Sequence, residues 1–284
     1  MDTVRTIDDM QAASAALKRT GRQVALVPTM GALHGGHVAL IRQARAEGAA
    51  VVVSIYVNPT QFGPHEDFKD YPRDMEADSL LCGTEQVDVL FAPSDAEMYP
   101  AGLGTSAAAT WVEETVLSRR FEGQRRPGHF RGVCTVVAKL FNIVQPDLAV
   151  FGQKDYQQLK VVQQMVRDLA YPIQIVAVPT VREPDGLAMS SRNQRLTGSE
   201  RVQATVLWKA LNVARDLFNE GEQNAHRLEA SMQRTVGLAP AARLDYAQVV
   251  DGETFEPVAK VQPGNIALIA VHVGRVRLID NLIL

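Results

Sequence analysis

Apolar and polar positions along the chain fall into two rhythms. "QVALVP" (23–28) is a short apolar run that leads into "GHVALIRQARAEG" (36–48). There Val38, Leu40, Ile41, Ala44 and Ala46 recur at a spacing suited to a helix packed on a sheet, with Gly48 as its stop signal. "VVVSIYVN" (51–58) follows as a near-continuous β-branched run, the pattern of a strand buried on both faces. Strand, turn, helix and strand in about 35 residues make a βαβ unit, whose sheet is parallel. "VDVLFAP" (87–93), "DLAVFG" (147–152) and "IQIVAVPTV" (173–181) predict further strands, and "YQQLKVVQQMVRDLA" (156–170) predicts a helix between the last two.

After residue 182 the texture changes. A long amphipathic helical stretch, "SERVQATVLWKALNVARDLFNEGEQNAHRLEASMQRTVG", precedes the alternating runs "ARLDYAQVV", "NIALIAVHV" and "RVRLIDNLIL", with Gly274 at a tight hairpin. Helices followed by antiparallel strands form an α+β unit distinct from a wound sheet. The turn residues Pro184, Asp185 and Gly186 in "REPDGLAMSSR" mark the boundary, giving domains 1–184 and 185–284. A chain of 284 residues is consistent with two.

Composition narrows the function classes. A net charge of −3 and a pI near 6.1 argue against a dedicated nucleic-acid or anionic-membrane binder, while leaving room for a local basic pocket. Cys82 and Cys134 stand in no metal-ligand or C-x-x-C spacing, which fits buried thiols in a reducing cytosol. The N-terminus has no apolar signal core, and no apolar run approaches the roughly 20 residues of a membrane span, so a soluble cytoplasmic protein is expected.

The first βα turn carries the chemistry. "MGALHGGH" places His34 and His37 three residues apart, around Gly35 and Gly36, where a strand becomes a helix. Ligands of parallel sheets sit at the carboxyl ends of the strands, and a helix N-terminus there suits phosphate. Neither the P-loop nor the dinucleotide glycine spacing is present. A zinc site is disfavoured, because no further ligand stands near and zinc helices use i, i+4 histidines.

Taken with "SIYVNPTQFGPHEDFKDYPR", "SRRFEGQRRPGHFRGV", "VAKLFNIVQPDLAVFGQKDYQQL" and "REPDGLAMSSRN", this turn makes the chain resemble the pantothenate synthetase (pantoate–β-alanine ligase) family over its whole length. That family belongs to the nucleotidyltransferases with H-x-G-H motifs. The resemblance implies an α/β fold: a Rossmann-like parallel sheet in the N-terminal domain and a smaller α+β C-terminal lid domain. It implies the substrates ATP, pantoate and β-alanine, with Mg²⁺, in a cytoplasmic homodimer. Pantoate is first adenylated, and the amine of β-alanine then displaces AMP.

By the same resemblance Met30, Gly31, Ala32, Leu33, His34, Gly35, Gly36 and His37 line the ATP site, with His37 the proton donor. Gly152, Gln153, Lys154 and Asp155 take nucleotide, Lys154 reaching the phosphates. Val181 and Met189, Ser190, Ser191 and Arg192 close over the nucleotide from the domain junction. Gln61 holds pantoate and lies near β-alanine, and Gln158 holds pantoate from the other side. Gln153 replaces the family's usual Glu.

Plainer readings stand beside these. Gln61 and Gln158 read equally as surface amides, Lys154 as a solvated charge, and "MSSRN" as a helix cap. Asn58 either contacts substrate or ends its strand. "RRFEGQRRPGHFRG" (119–132), with five arginines, reads as a mobile, glycine-hinged loop near the ATP phosphates, or as a solvated or RNA-binding face. A rival function is a related nucleotidyltransferase acting on a phosphorylated acceptor, which would need cations where this chain offers glutamines. A nucleotide-sensing or RNA-binding protein is more distant.

Overall fold

In the computed structural model, residues 1–64, 66–100, 102 and 110–284 are described, so His65 lies outside them. Six short strands, β1 (Asp2–Val4), β2 (Val24–Thr29), β3 (Ala50–Ile55), β4 (Val89–Phe91), β5 (Leu148–Gly152) and β6 (Gln174–Val178), form one sheet. Their order is β1-β4-β3-β2-β5-β6, and every pairing is parallel. β3 is buried along its full length, as its unbroken β-branched run requires of a strand covered on both faces.

The connecting helices of this unit are α1 (Ile7–Arg19), α2 (Gly35–Ala46), α3 (Met75–Thr84), α4 (Asp95–Met98), α5 (Glu122–Arg125), α6 (His129–Val144) and α7 (Tyr156–Asp168). Side chains start three of them: Thr6 accepts from the Asp9 N–H, Asp74 from Ala77 and Ser94 from Glu97. At 12 residues α2 is too short to persist alone. Ile41 and Ala44 anchor it against Val27, Val51, Val53 and Val150 of the sheet. Burying Ile41 alone contributes roughly 1.5–3 kcal/mol, more than its helix propensity can.

In the C-terminal unit α8 (Gly198–Gln203) precedes α9 (Val206–Asn219) and α10 (Ala225–Val236), and the latter two pack on an antiparallel sheet of β7 (Ala242–Val250), β8 (Ile266–Val273) and β9 (Val276–Ile283), in that order. The long helical stretch read from the sequence is three helices with two breaks between them. Its second break has Gly221 at φ 98° and Asn224 capping the next helix. Gly274 sits at φ 56° in the β8–β9 hairpin, as expected.

By their contacts the residues divide into two compact units, Met1–Gln153 with Gln157–Pro179, and Lys154–Tyr156 with Thr180–Leu284. Set beside the expected division after residue 184, the second unit begins earlier and takes in a three-residue piece that follows β5. The segment 119–132, read from its charge as a loop, is largely folded: it contains α5 and the start of α6, with Gly128 at φ 83° before the helix. Among the described residues no helix is long and apolar enough to cross a membrane.

Candidate active site

The chain leaves the centre of the parallel sheet in two directions, through β3 on one side of β2 and through β6 beyond β5 on the other. The carboxyl ends of the adjacent strands β2 and β5 are therefore the topological switch point, the usual ligand crevice of an open α/β sheet. "MGALHGGH" follows β2, and Gly152 with Gln153 ends or follows β5.

The turn after β2 is built largely from its own side chains. His34 is the N-cap of α2: its Nδ1 accepts the Gly36 N–H at 3.1 Å, while the Nδ1 of His37 accepts the His34 N–H at 3.2 Å. This is a capping box made of two imidazoles. A neutral imidazole whose Nδ1 accepts must carry its proton on Nε2, so both rings have Nε2–H as their donor. The rings lie 4.2 Å apart between centroids. The first turn of α2 holds no acidic residue, unlike those of α1 and α3, so its positive end is not neutralised from within the helix.

The residues ahead of the cap are held from a distance. Gly31 and Ala32 sit at φ 79° and φ 50°. The buried Asp78 carboxylate of α3 accepts the N–H groups of Ala32 at 2.8 Å and Leu33 at 2.7 Å. Burial pushes the Asp78 carboxyl above its ordinary range, and the two N–H groups pull it part of the way back. A Cβ on Gly31 would stand 2.8 Å from the Asp78 oxygen. Only glycine fits this left-handed turn beside the carboxylate.

Beside it lies a one-turn 3-10 helix, Pro59–Gln61, capped by Asn58. Asn58 is buried; its Nδ2 donates to Gln61 Oε1 at 3.1 Å and to the Gly132 carbonyl at 3.1 Å. Its Oδ1 accepts from Tyr99 and Thr60, each at 2.9 Å. Gln61 Nε2 donates to the sulfur of Met30 at 3.1 Å, linking this turn to the preceding one. These contacts take one N–H and one acceptor site of the Gln61 amide and leave one of each.

The two glutamines of "DYQQL" separate cleanly. Gln157 is buried and structural: its Nε2 donates to the carbonyls of Leu117 and Arg120, at 2.8 and 2.9 Å, and its Oε1 accepts from the Glu122 N–H. Gln158 is half-buried and does not share these contacts. Burial along α7 follows Gln157, Val161 and Met165, a four-residue stripe already visible in the sequence.

In the second unit, Val181 and Met189 come together across a small hairpin: Met189 N–H donates to the Val181 carbonyl at 3.0 Å, and Arg182 bridges to Ala188. Ser190 caps the 3-10 helix Ser191–Arg195, so "MSSRN" does contain a cap. Arg182 is paired with the buried Asp280 at 2.6 Å and stacked 3.7 Å over the Trp208 ring. The Lys154 carbonyl accepts from Asn281 at 2.8 Å, and its ammonium lies 3.5 Å from Asp155.

Asp78, Tyr99, Arg126 and His129 are parts of this architecture that the sequence does not single out, and Asn58, left open there between substrate contact and strand end, is a structural hub of the turn. Among the described residues no group of three or more His, Cys, Asp or Glu could hold a metal ion.

Comparison with known proteins agrees with the geometry. The pantoate-beta-alanine ligase family profile matches residues 2–283. The pantothenate synthetase of Thermotoga neapolitana is 50% identical over 284 residues, covering 100% of both chains. A crystal structure of pantothenate synthetase from Thermus thermophilus superposes with a TM-score of 0.93 at 47% identity, covering 99% of each chain. A pantoate-beta-alanine ligase from Francisella tularensis, complexed with beta-gamma ATP and beta-alanine, gives 0.81 at 34%, covering 100% of this chain and 97% of the other. The chain belongs to the pantoate–β-alanine ligase family, whose reaction is the ATP-dependent condensation of pantoate with β-alanine.

Proposed function

We propose that the imidazole-capped turn after β2 is where this chain binds the ATP phosphates and adenylates pantoate. The observation that carries the reading is the locked tautomer: both imidazoles hold Nε2–H at a helix N-terminus whose first turn has no acidic side chain. A pantoate carboxylate oxygen attacks the α-phosphorus, the bond to the departing pyrophosphate breaks, and charge builds on phosphate oxygens. Fixed donors aimed at such charge are worth roughly 3–4 kcal/mol each. The amine of β-alanine then attacks the acyl carbon of the adenylate, AMP leaves, and the nitrogen loses a proton to give the amide.

His37 is the donor placed to protonate or hydrogen-bond the departing oxygen, and His34 its neighbour on the phosphates. The open N–H and acceptor site of Gln61 suit a substrate with hydroxyls and a carboxylate, and Gln158 is assigned to pantoate from the other side. Met30 to Leu33, Gly35 and Gly36 form the backbone of the phosphate turn. Gly152 to Asp155, Val181 and Met189 to Arg192 are assigned to nucleotide on the family resemblance. Mg²⁺ is assigned on the family resemblance, as an ion that triphosphate oxygens and water would carry and that would neutralise the departing pyrophosphate. A homodimer and a cytoplasmic location belong to the same proposal, on family membership alone.

The alternative, transfer of a nucleotidyl group to a phosphorylated acceptor, fits less well. The Gln61 amide is bonded to Asn58 and the Met30 sulfur, both neutral, where a phosphate would call for cations. Pyrophosphate exchange tests the choice. Labelled pyrophosphate should enter ATP when pantoate is present and β-alanine absent. Exchange driven equally well by unrelated or phosphorylated acids would overturn the assignment.

A further inference from the structure

We propose that Arg126 and His129 are positioning residues for pantoate recognition, acting through the backbone of Gln61. This rests on the reading of Gln61 as the residue that holds pantoate. Both come from the arginine-rich stretch whose role the sequence left open, and neither is assigned to ligand.

Gln61 closes a single 3-10 turn, Pro59–Gln61. Such a turn has little stability of its own, and its last carbonyls have no partner within the helix. Its position must be imposed from outside. The Gln61 carbonyl accepts from His129 Nδ1–H at 2.8 Å and from Arg126 Nη2–H at 3.4 Å. Arg126 Nη1–H donates at 3.1 Å to the other nitrogen of the same imidazole. Guanidinium cannot accept, so His129 Nε2 must offer a lone pair, and the ring proton is fixed on Nδ1, facing Gln61. A second proton on His129 would set N–H against N–H.

Geometry and electrostatics agree on this point. His129 is buried, and burial, aided by the Arg126 charge, holds its pKa down at about 4 despite the opposing pull of the Gln61 carbonyl and of Glu66 and Glu122. Arg126 is itself fixed by Glu66, through Nε at 2.9 Å and Nη2 at 2.6 Å. Burial raises the Glu66 carboxyl, but the hydrogen bonds and charge of Arg126 outweigh it and keep Glu66 below its ordinary range.

The same helix closes on the turn through its backbone. A Cβ on Gly132 would collide with the Thr60 carbonyl and stand 2.7 Å from Gln61 Cα, and the Gly132 carbonyl holds Asn58, which holds the Gln61 side chain. One element, α6 with the residue three before it, thus sets both the main chain and the amide of Gln61. A recognition amide must be held to within about 0.5 Å to discriminate, and its supporting shell does that.

The test is a double-mutant cycle on steady-state kinetics. His129→Leu should raise KM for pantoate about tenfold, with KM for ATP within about twofold of the parent. His129→Asn, whose amide N–H takes the place of Nδ1–H, should restore most of the loss. In the Gln61→Ala background His129→Leu should add less than about twofold to KM for pantoate, because coupled residues are non-additive. If Gln61→Ala raises KM for pantoate but the two effects multiply, the relay is wrong while the reading of Gln61 stands. If Gln61→Ala leaves KM for pantoate unchanged, that reading fails and the proposal falls with it. Should His129→Leu not fold, Arg126→Gln reads the same relay, and an unchanged KM for pantoate in that variant overturns it.

Discussion

Two short turns share the candidate site and are held in opposite ways. The Met30–His37 turn is fastened mostly by neighbours in sequence, with His34 and His37 capping each other over separations of two and three residues. The Pro59–Gln61 turn is fastened by Tyr99, Arg126, His129 and Gly132, at sequence separations of 41 to 74 counted from Asn58 or Gln61. On the proposed reading, the first is a self-assembling cradle whose chemistry and scaffold are the same side chains. The second, on the same reading, separates the group that recognises from the groups that position it. Asp78 supports the cradle from long range, and it bonds only to residues ahead of the cap.

The comparison predicts where a substitution is felt. The largest effect belongs to the cradle. His37→Ala removes the proposed phosphate donor and half of a capping box together, so adenylate formation should slow about 10²–10³-fold, while stability falls by only about 1 kcal/mol. Single-turnover measurement of pantoyl adenylate, beside thermal unfolding, reads both. Near-normal rates would sever the cradle from the chemistry.

A smaller effect belongs to the long-range turn and shows itself in stability. The folded pKa of His129, about 4, lies below the ordinary histidine value of 6.5. The unfolded chain therefore binds a proton that the folded chain refuses, so stability is retained above about pH 6.5 and lost as pH falls toward 4. From pH 7 to pH 5 this amounts to about 2 kcal/mol. Urea unfolding across that range should show the loss in the parent and a flatter profile in His129→Asn. Parallel profiles would mean that His129 is not buried in its neutral form.

How much can be read from the sequence follows the same division. β2, α2 and β3 announce themselves through period and glycine placement, and the two histidines stand in one short string. Lys154, Gln158 and Met189 to Arg192 are proposed from the family motifs alone, with no periodicity or spacing that points to them. Arg126 and His129 do not show, because charge pattern reads "RRFEGQRRPGHFRG" as solvated, and the Glu66 that neutralises Arg126 is 60 residues away. Asn58 looks equally like a strand end until its four partners are seen. Gln157 and Gln158 are identical in composition and differ only in helical phase, a signal present in the sequence through Val161 and Met165. The short β1 and the broken helical run after Ser199 are obscured for a physical reason: three-residue strands and mid-run breaks are decided by packing more than by propensity.

If the imidazole-capped turn binds ATP, the triphosphate lies against the two Nε2–H groups at the head of α2. The most direct measurement is a crystal structure with a non-hydrolysable ATP analogue. Phosphate oxygens should lie within hydrogen-bonding distance of Nε2 of both His34 and His37, with the Nδ1 contacts to the backbone intact. A triphosphate bound away from the start of α2, or imidazoles that abandon the capping box to meet it, would rule out a preformed imidazole cradle for ATP.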